Sequence, residues 1–298
     1  MRLVTFTHNG ADKIGALNAK SNTITDLKAA DPSLPSTMQA LIERGHDGLS
    51  QAQAAIDSAV EKARLSADDV VLKAPIPEPR RDVMAVGRNY HEHAQEFHES
   101  GFDATSGATA VPDDPIIFTK ATTSVSGPFD PIPAYLDPTN STDYEGELAV
   151  IIGTGGRGIS RADAFDYVYG YTTSNDVTAR TLQHQHKQWF IGKGLDGYCP
   201  MGPVLLTADE AGHPDTFHLK TEVNGEIRQD SSCSALIFDI PTLIETISTG
   251  ITLLPGDIIV TGTPVGVGIG FKPPVFLKKG DVVRVDISPI GAIENVVE

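Results

Sequence analysis

Two glutamates on one predicted strand offer the clearest chemistry in this sequence. In the run DYEGELAVII at residues 143–152, Glu145 and Glu147 are separated by one residue. Side chains alternate between the faces of a strand, so both carboxylates point the same way, about 7 Å apart. Asp176 follows an aromatic run and is predicted at the end of a neighbouring strand. Three carboxylates without Cys or His favour a hard ion, Mg²⁺ or Mn²⁺. The alternative is a solvated edge strand with ordinary surface acids.

A second candidate group lies in the run HEHAQEFH at residues 91–98, which is not the HExxH pattern of zinc helices because Gln occupies position 95. His93 and Glu96 are three residues apart and would share one face of a helix, where the carboxylate could orient or activate the imidazole. Residues 100–112, small and rich in Gly, are predicted to form a mobile lid. The alternative is a solvated helical turn that happens to contain histidines.

A glycine pattern at residues 153–158, GTGGRG, matches the dinucleotide-binding fingerprint and follows an apolar strand. That fingerprint needs a helix that begins within the glycines, so that the helix N-terminus faces the pyrophosphate. Here Ser160 is the predicted N-cap, and the short helix predicted at residues 162–168 begins beyond the last glycine. No βαβ alternation follows, so a glycine-rich hairpin or loop is favoured over a nicotinamide site.

The first 75 residues are predicted to form a small α+β domain. Short strands are expected at residues 3–6, 13–16, 23–27 and 70–72, and an amphipathic helix at 51–65, opened by a capping box at Ser50. Three prolines within residues 74–81 predict an extended linker. We therefore predict two domains, 1–75 and 76–298.

The larger part of the chain is predicted to be mainly β within an α+β class. Short apolar runs alternate with turn signals such as Asn224-Gly225 and Lys279-Gly280-Asp281. Besides the short helix at 162–168, a helix is predicted at residues 240–249 and ends before Gly250. Strands are expected at residues 83–86, 116–118, 148–152, 204–206, 258–260 and 282–287.

Composition narrows the function classes. The 298 residues carry 23 basic and 39 acidic side chains, a net charge of −16, which repels nucleic acid and anionic membranes. An anionic substrate must therefore be captured by local positive charge. Two cysteines are too few for a disulfide framework, and no apolar run approaches the ~20 residues that span a bilayer. We expect a cytoplasmic enzyme or binding protein that binds neither nucleic acid nor membrane.

Taken together, the motifs resemble the fumarylacetoacetate hydrolase family from about residue 83 to residue 297. Six segments occur in order at compatible spacing, which makes the resemblance specific. The segments include VGRNYHEHAQE at 86–96, DYEGEL at 143–148, SNDVTAR at 174–180, QWFIGKG at 188–194, CPMGP at 199–203 and LPGDIIVTGTPVGVG at 254–268.

The resemblance implies a mixed β-roll catalytic core, usually a homodimer, with one Mg²⁺ or Mn²⁺ per subunit. By position, Glu145, Glu147 and Asp176 resemble the metal ligands, and His93 with Glu96 resembles the pair that activates water. Lys193 resembles the lysine that faces the substrate oxygens. The groups that resemble substrate-orienting residues are Arg180, Gln183 and Thr263.

The expected activity is metal-dependent hydrolysis of the C–C bond of a 2,4-dioxo acid, such as an acylpyruvate, to pyruvate and a carboxylic acid. Chelation of the substrate carboxylate and 2-oxo group would neutralise charge that the acidic chain repels. Oxaloacetate decarboxylation, or isomerisation or hydration of a 2-hydroxy-diene-dioate, is the alternative, because the same metal-stabilised enolate serves each reaction. A non-catalytic ligand-binding β-roll is the alternative of another class. Segment 100–114, longer than in the shortest family members, and Ala121, where proline is usual, leave the shape of the substrate open.

Overall fold

A computed structural model describes residues 1–102 and 109–298 of the chain. Residues 103–108, within the predicted lid, lie outside the described residues. The described strands are β1 Arg2–His8, β2 Ala11–Asn18, β3 Thr23–Asp26, β4 Arg64–Ser66, β5 Val71–Lys73, β6 Val83–Gly87, β7 Ile116–Lys120, β8 Val125–Ser126, β9 Thr142–Asp143, β10 Gly146–Ile152, β11 Val168–Asn175, β12 Thr178–Ala179, β13 Cys199–Thr207, β14 His218–Val223, β15 Glu226–Ser232, β16 Ile258–Val260, β17 Val282–Ser288 and β18 Gly291–Val296. The α-helices are α1 Leu27–Ala30, α2 Met38–Ile42, α3 Gly45–Ser58, α4 His91–Glu99, α5 Arg180–His186, α6 Phe190–Lys193, α7 Ala208–Ala211 and α8 Ile240–Ser248.

Most strands join one large mixed sheet of order β4-β3-β2-β1-β13-β11-β10-β16-β6-β7, in which β5 also pairs with β1 and β8 with β13. The pairs β16–β6 and β13–β8 are parallel, and the others are antiparallel. A second, four-stranded antiparallel sheet has the order β15-β14-β17-β18. With 28% helix and 34% strand, the predicted α+β, mainly β class is confirmed.

The N-terminal strands pair with the rest of the chain. Strand β1 is antiparallel to β13, with Leu3 opposite Leu205, so both sides of the predicted domain boundary contribute to one sheet. The predicted linker 74–81 has no helix or strand, but Ala74 and Ile76 are buried and pack in the core. The boundary after residue 75 stays a prediction.

Of the three helices predicted from the sequence, two need correction and one is confirmed. The helix predicted at 51–65 is α3, which begins at Gly45 and ends at Ser58. Ser50 therefore lies inside the helix and does not cap it. The predicted helix at 162–168 is only a 3₁₀ turn, Ala164–Tyr167. Helix α8 confirms the prediction at 240–249, and the Asp239 side chain caps it by accepting the Thr242 N–H.

The glycine run 153–158 is a loop, as favoured from the sequence. Gly156 forms an isolated bridge with Leu253, and no helix begins within these glycines, all of which the structure describes. Among the described residues, we find no helix with both the length and the apolar character needed to cross a membrane.

The apolar core explains why residues 148–152 are continuously hydrophobic. Leu148 and Val150 face a core that includes Leu243 of α8, whereas Ala149 faces a second core on the opposite side of the sheet. That second core contains side chains from the N-terminal helices, including Leu27, Met38 and Leu41. Strand β10 is therefore covered on both faces, and its one acidic residue, Glu147, lies near its start.

Candidate metal centre and active site

Strand pairing brings the three predicted acids together. Glu145 and Glu147 flank the first residue of β10, and Glu147 lies opposite Ser174 on β11. Asp176 directly follows β11, and its backbone N–H donates to the Glu145 carbonyl oxygen at 2.8 Å. One carboxylate oxygen from each acid lies within 4.8 Å of the others, and all three residues are buried. The alternative of a solvated edge strand is therefore wrong.

A buried lysine joins two of these acids. The Nζ of Lys193, at the end of α6, donates to Glu145 Oε2 and to Asp176 Oδ2, each at 2.7 Å. The Nζ also lies 5.2 Å from the ring centre of Phe118. An ammonium group has three hydrogens, and the described residues accept two of them, so one N–H of Lys193 is left for a ligand.

Two more cations surround the acids. Lys120, at the end of β7, lies 2.6 Å from Asp176 Oδ1 and donates to the Val177 carbonyl oxygen at 3.1 Å. Arg180, at the start of α5, lies 2.6 Å from Glu145 Oε1 through Nη1. Both cations are completely buried, so the cluster is a charge network inside the protein.

The surrounding charges shift the pKa values of the two glutamates in opposite directions. Burial alone would raise the pKa of Glu145, but Lys193 and Arg180 lower it to about 2. In Glu147, burial and the negative charges of Asp176 and Glu145 raise the pKa well above its usual range. Among the described residues, its carboxylate accepts one hydrogen bond, from the Gly262 N–H at 2.7 Å. Buried oxygens that repel each other, with no Cys or His among them, fit a hard divalent cation.

Arg180 is held in a fixed orientation. Its Nε donates to Asp143 Oδ2 at 2.8 Å, and its Nη1 donates to Gln183 Oε1 at 3.3 Å. The buried Nη2 has no hydrogen-bond partner among residues 1–102 and 109–298. An unsatisfied guanidinium N–H in the interior costs free energy, so this nitrogen is a natural contact for a bound carboxylate.

The predicted dyad forms on α4. His93 Nδ1 and Glu96 Oε2 are 3.0 Å apart, and the imidazole is buried. If Nδ1 carries the proton, it donates to Glu96 and leaves the Nε2 lone pair to accept one. The Glu96 carboxylate in turn accepts the Gly266 N–H at 3.1 Å. A Cβ at Gly270 would collide with Glu96, so only glycine allows this close approach.

Seven of the nine predicted site residues line one small cavity. Its volume is about 10 Å³, roughly what one water molecule needs. The lining residues are Val86, Gly87, Arg88, His93, Phe97, Glu145, Glu147, Arg180, Gln183, Trp189, Lys193 and Thr263. Glu96 and Asp176 lie behind this lining and contact it through His93 and Lys193. A larger groove of about 770 Å³, which includes Tyr135 and Lys278, contains none of the predicted site residues.

The hydroxyl of Thr263 is already engaged with the protein. It donates to the Gly146 carbonyl oxygen at 2.9 Å and accepts from Gln229 Nε2 at 2.8 Å. Its single hydrogen is therefore used, and toward a ligand Thr263 could offer only a lone pair. Its predicted role with substrate stays a prediction.

Sequence reasoning missed four residues at or behind the cavity. Arg88 and Trp189 stand inside segments already recognised as motifs, so a signal for them existed. Phe97 follows Glu96 on α4 and faces Trp189, with ring centres 5.8 Å apart. Lys120 is a lone charge at the end of an apolar strand, and nothing in its local sequence indicates a buried partner.

The sequence is similar to that of known enzymes over most of its length. The family model described as "Fumarylacetoacetate (FAA) hydrolase C-terminal" matches residues 82–298. The oxaloacetate tautomerase YisK of Bacillus subtilis is 50% identical over 230 residues, which are 77% of this chain and 74% of that protein. The mitochondrial oxaloacetate tautomerase fahd2 of Xenopus laevis is 41% identical over 299 residues, 99% of this chain and 89% of that protein.

Solved structures resemble the whole chain. A fumarylacetoacetate hydrolase from Exiguobacterium antarcticum has a TM-score of 0.83 and 41% identity, covering 100% of this chain and 99% of that chain. A maleylpyruvate hydrolase from Sphingobium sp. SYK-6, in complex with manganese(II) and pyruvate, has a TM-score of 0.77 and 34% identity, covering 100% and 98%. These likenesses confirm the predicted fold class.

Proposed function

The chain belongs to the fumarylacetoacetate hydrolase family, and from that premise we propose that it is a metal-dependent tautomerase that interconverts the keto and enol forms of oxaloacetate. The observation that carries the proposal is the placement of one base, the His93 imidazole, in a cavity with buried carboxylates and an unsatisfied arginine nitrogen. Two relatives that cover most of this chain bear the name oxaloacetate tautomerase, which supports this substrate.

The metal part of the proposal assigns the ion to Glu145, Glu147 and Asp176. Their oxygens are close enough to share one cation, and the manganese-bound maleylpyruvate hydrolase supports a divalent ion. When bound, Mg²⁺ or Mn²⁺ would supply Lewis-acid charge that makes a C–H bond next to a carbonyl group more acidic. We propose one ion per subunit, and the predicted homodimer stays a prediction.

The proton transfer is assigned to the dyad. In the keto-to-enol direction, His93 Nε2 takes a proton from C3, the electron pair of that C–H bond forms the C2–C3 double bond, and the π pair of the 2-oxo group moves to its oxygen. That oxygen then takes the proton from the imidazolium, which returns His93 to its neutral form. Glu96, which holds Nδ1, stabilises the imidazolium that forms. The remaining N–H of Lys193 is assigned to the 2-oxo oxygen, where negative charge develops.

The orientation of the substrate is assigned to Arg180, with Gln183 and Thr263 beside it in the cavity. Nη2 of Arg180 is the proposed contact for a substrate carboxylate, and Asp143 holds the guanidinium in place. Gln183 and Thr263 complete the polar side of the cavity. The other side is apolar, since Phe97 and Trp189 pack edge to face, and it limits the size of what fits.

Hydrolysis of a 2,4-dioxo acid is the second candidate function, and the His93–Glu96 pair favours it. In that reaction His93 would take a proton from water instead of C3, and the hydroxide would attack the distal carbonyl carbon, C4. The C3–C4 bond would then break, its electron pair would pass to the pyruvate enolate, and C3 would take the proton from the His93 imidazolium, which gives pyruvate and a carboxylic acid. A maleylpyruvate hydrolase among the similar structures supports the possibility of such chemistry on this fold.

The test follows three reactions in one protein preparation: tautomerisation of oxaloacetate, decarboxylation of oxaloacetate and cleavage of acetylpyruvate. Enol oxaloacetate is followed by its ultraviolet absorbance, pyruvate by a coupled lactate dehydrogenase assay, and acetylpyruvate by loss of its enol absorbance. Each is measured with Mn²⁺, with excess EDTA, and with Mn²⁺ but no protein. Faster approach to the keto–enol equilibrium without pyruvate supports the tautomerase. Pyruvate from oxaloacetate would instead indicate a decarboxylase, and equimolar pyruvate and acetate from acetylpyruvate a hydrolase.

A further inference from the structure

Gly146, the residue between the two glutamates, is held through both of its backbone polar groups. The Gly146 N–H donates to Gln229 Oε1 at 3.0 Å, and the Gly146 carbonyl oxygen accepts from Thr263 Oγ1 at 2.9 Å. The amide of Gln229 closes the ring, since Nε2 donates to Thr263 Oγ1 at 2.8 Å and to the Pro264 carbonyl oxygen at 2.7 Å. Gln229 belongs to β15, in the second sheet, and is 1% exposed.

Glycine at position 146 makes this approach of the two sheets possible. A Cβ there would collide with Thr221 Oγ1 and would lie 2.9 Å from Val285 Cγ1, both on strands of the second sheet. Because Gly146 has no side chain, that sheet packs directly against the start of β10. The Gln229 amide thereby reaches a backbone that carries a carboxylate on either side.

The orientation of the Gln229 amide is determined by its partners. Both hydrogens of Nε2 have acceptors, and Oε1 has a donor. Rotation of the amide by half a turn would place NH₂ against the Gly146 N–H and leave three buried groups unsatisfied, at a cost of about 1–3 kcal/mol for each. The ring is therefore a rigid connection between the second sheet and the metal strand.

We propose that Gln229 is a positioning residue for the metal centre: it fixes the backbone of Gly146 and thereby sets the separation of the Glu145 and Glu147 carboxylates. Gln229 has no hydrogen bond to either carboxylate in the part of the chain that the structure describes, so its influence passes through the backbone. Groups that orient metal ligands typically change metal affinity by about 10–100-fold when removed. The inference rests on the metal role proposed above for Glu145 and Glu147.

The experiment titrates the metal-free full-length protein with Mn²⁺ alone and measures Kd by electron paramagnetic resonance. Gln229→Met keeps the length of the side chain but removes all three hydrogen bonds. We expect its Kd for Mn²⁺ to rise by about 10–100-fold. The matched control is Asn295→Leu, which removes another buried amide of the second sheet, one that donates to the Asp130 carbonyl oxygen at 2.8 Å. This control should lower Tm and leave the Kd unchanged.

Thr263→Val and Thr263→Ser provide a second test that does not depend on the folding of Gln229→Met. The valine variant loses the hydroxyl that joins Gln229 to Gly146, and the serine variant keeps it. Weaker Mn²⁺ binding with valine but not with serine supports the inference. It is overturned if Gln229→Met binds Mn²⁺ like the wild type, or if Asn295→Leu weakens binding equally. If the wild type binds no Mn²⁺, the metal role itself fails.

Discussion

At the scale of single residues, the buried charges of the site are unequally paired. Glu145 has ion pairs with Lys193 and Arg180, and Asp176 has ion pairs with Lys193 and Lys120. In the part of the chain that the structure describes, Glu147 accepts one hydrogen bond, from the Gly262 N–H, and has no ion pair. A buried carboxylate without a cationic partner is costly, so this position explains best why the site would bind a metal ion.

Replacing Glu147 by Gln should therefore separate activity from stability. The amide loses a metal ligand but also the repulsion from its two neighbouring carboxylates, so we expect the metal-free Tm to stay equal or rise. Turnover should fall by about 10³-fold, since several kcal/mol of charge stabilisation is lost. Calorimetric unfolding and Mn²⁺ titration check the two parts, and a fully active variant would refute the ligand assignment.

Replacing His93 by Gln should lower activity without weakening metal binding. The metal ligands are untouched, so Mn²⁺ affinity should be retained, whereas kcat for tautomerisation should fall by about 10²–10⁴-fold through loss of the base. Retained activity toward oxaloacetate together with lost cleavage of acetylpyruvate would mean that His93 serves only to activate water. Parallel assays on both substrates measure this difference.

At the scale of elements, local patterns predicted the groups that lie on one strand or one helix. Strand alternation placed Glu145 and Glu147 on one face, and helical spacing placed Glu96 beside His93. The positions of Lys120 and Gln229 could not be predicted in this way, because each meets its partners only through the packing of distant strands. Helix α3 was misplaced because the capping pattern at Ser50 lies inside it: the helix begins at Gly45, and its buried Ala52 and Ala55 pack in the core with Leu27 and Met38.

The loop that supports α4 gives a prediction at this scale. Gly270→Ala should push the Glu96 carboxylate away and misplace His93, because the added methyl group occupies the same space. A displacement of about 1 Å can lower kcat by about 100-fold, and Mn²⁺ affinity should not change. Gly250→Ala is the matched control, since a Cβ there meets nothing within 4 Å and kcat should stay at the wild-type value.

At the scale of the whole molecule, one sheet runs from the N-terminal strands to the metal strand. The order β1-β13-β11-β10 places two strands between the start of the chain and Glu147. Leu3, on β1, is fully buried in a core that also contains Ala149 and Ile151 of the metal strand. A destabilising substitution in β1 should therefore lower the stability of the whole sheet.

Leu3→Ala is expected to lower the free energy of unfolding by about 2–5 kcal/mol, as for other buried leucines. Because the sheet is shared, we expect a single transition, shifted as a whole, when unfolding is followed by circular dichroism and by release of bound Mn²⁺. Two separate transitions, with the metal retained through the first, would instead show that residues 1–75 unfold independently.

The pairing of β1 with β13 also has a consequence for synthesis on the ribosome. The partner of Leu3 is Leu205, about two hundred residues later in the chain, whereas β2 and β5 emerge early and can pair with β1 at once. At roughly 5–20 residues per second, the start of β1 waits on the order of 10 s or more for its last neighbour. During that interval the nascent chain presents an unpaired strand edge, which is a template for aggregation. Strand β1 is thus completed late, and chaperone protection of this edge would matter until β13 leaves the exit tunnel.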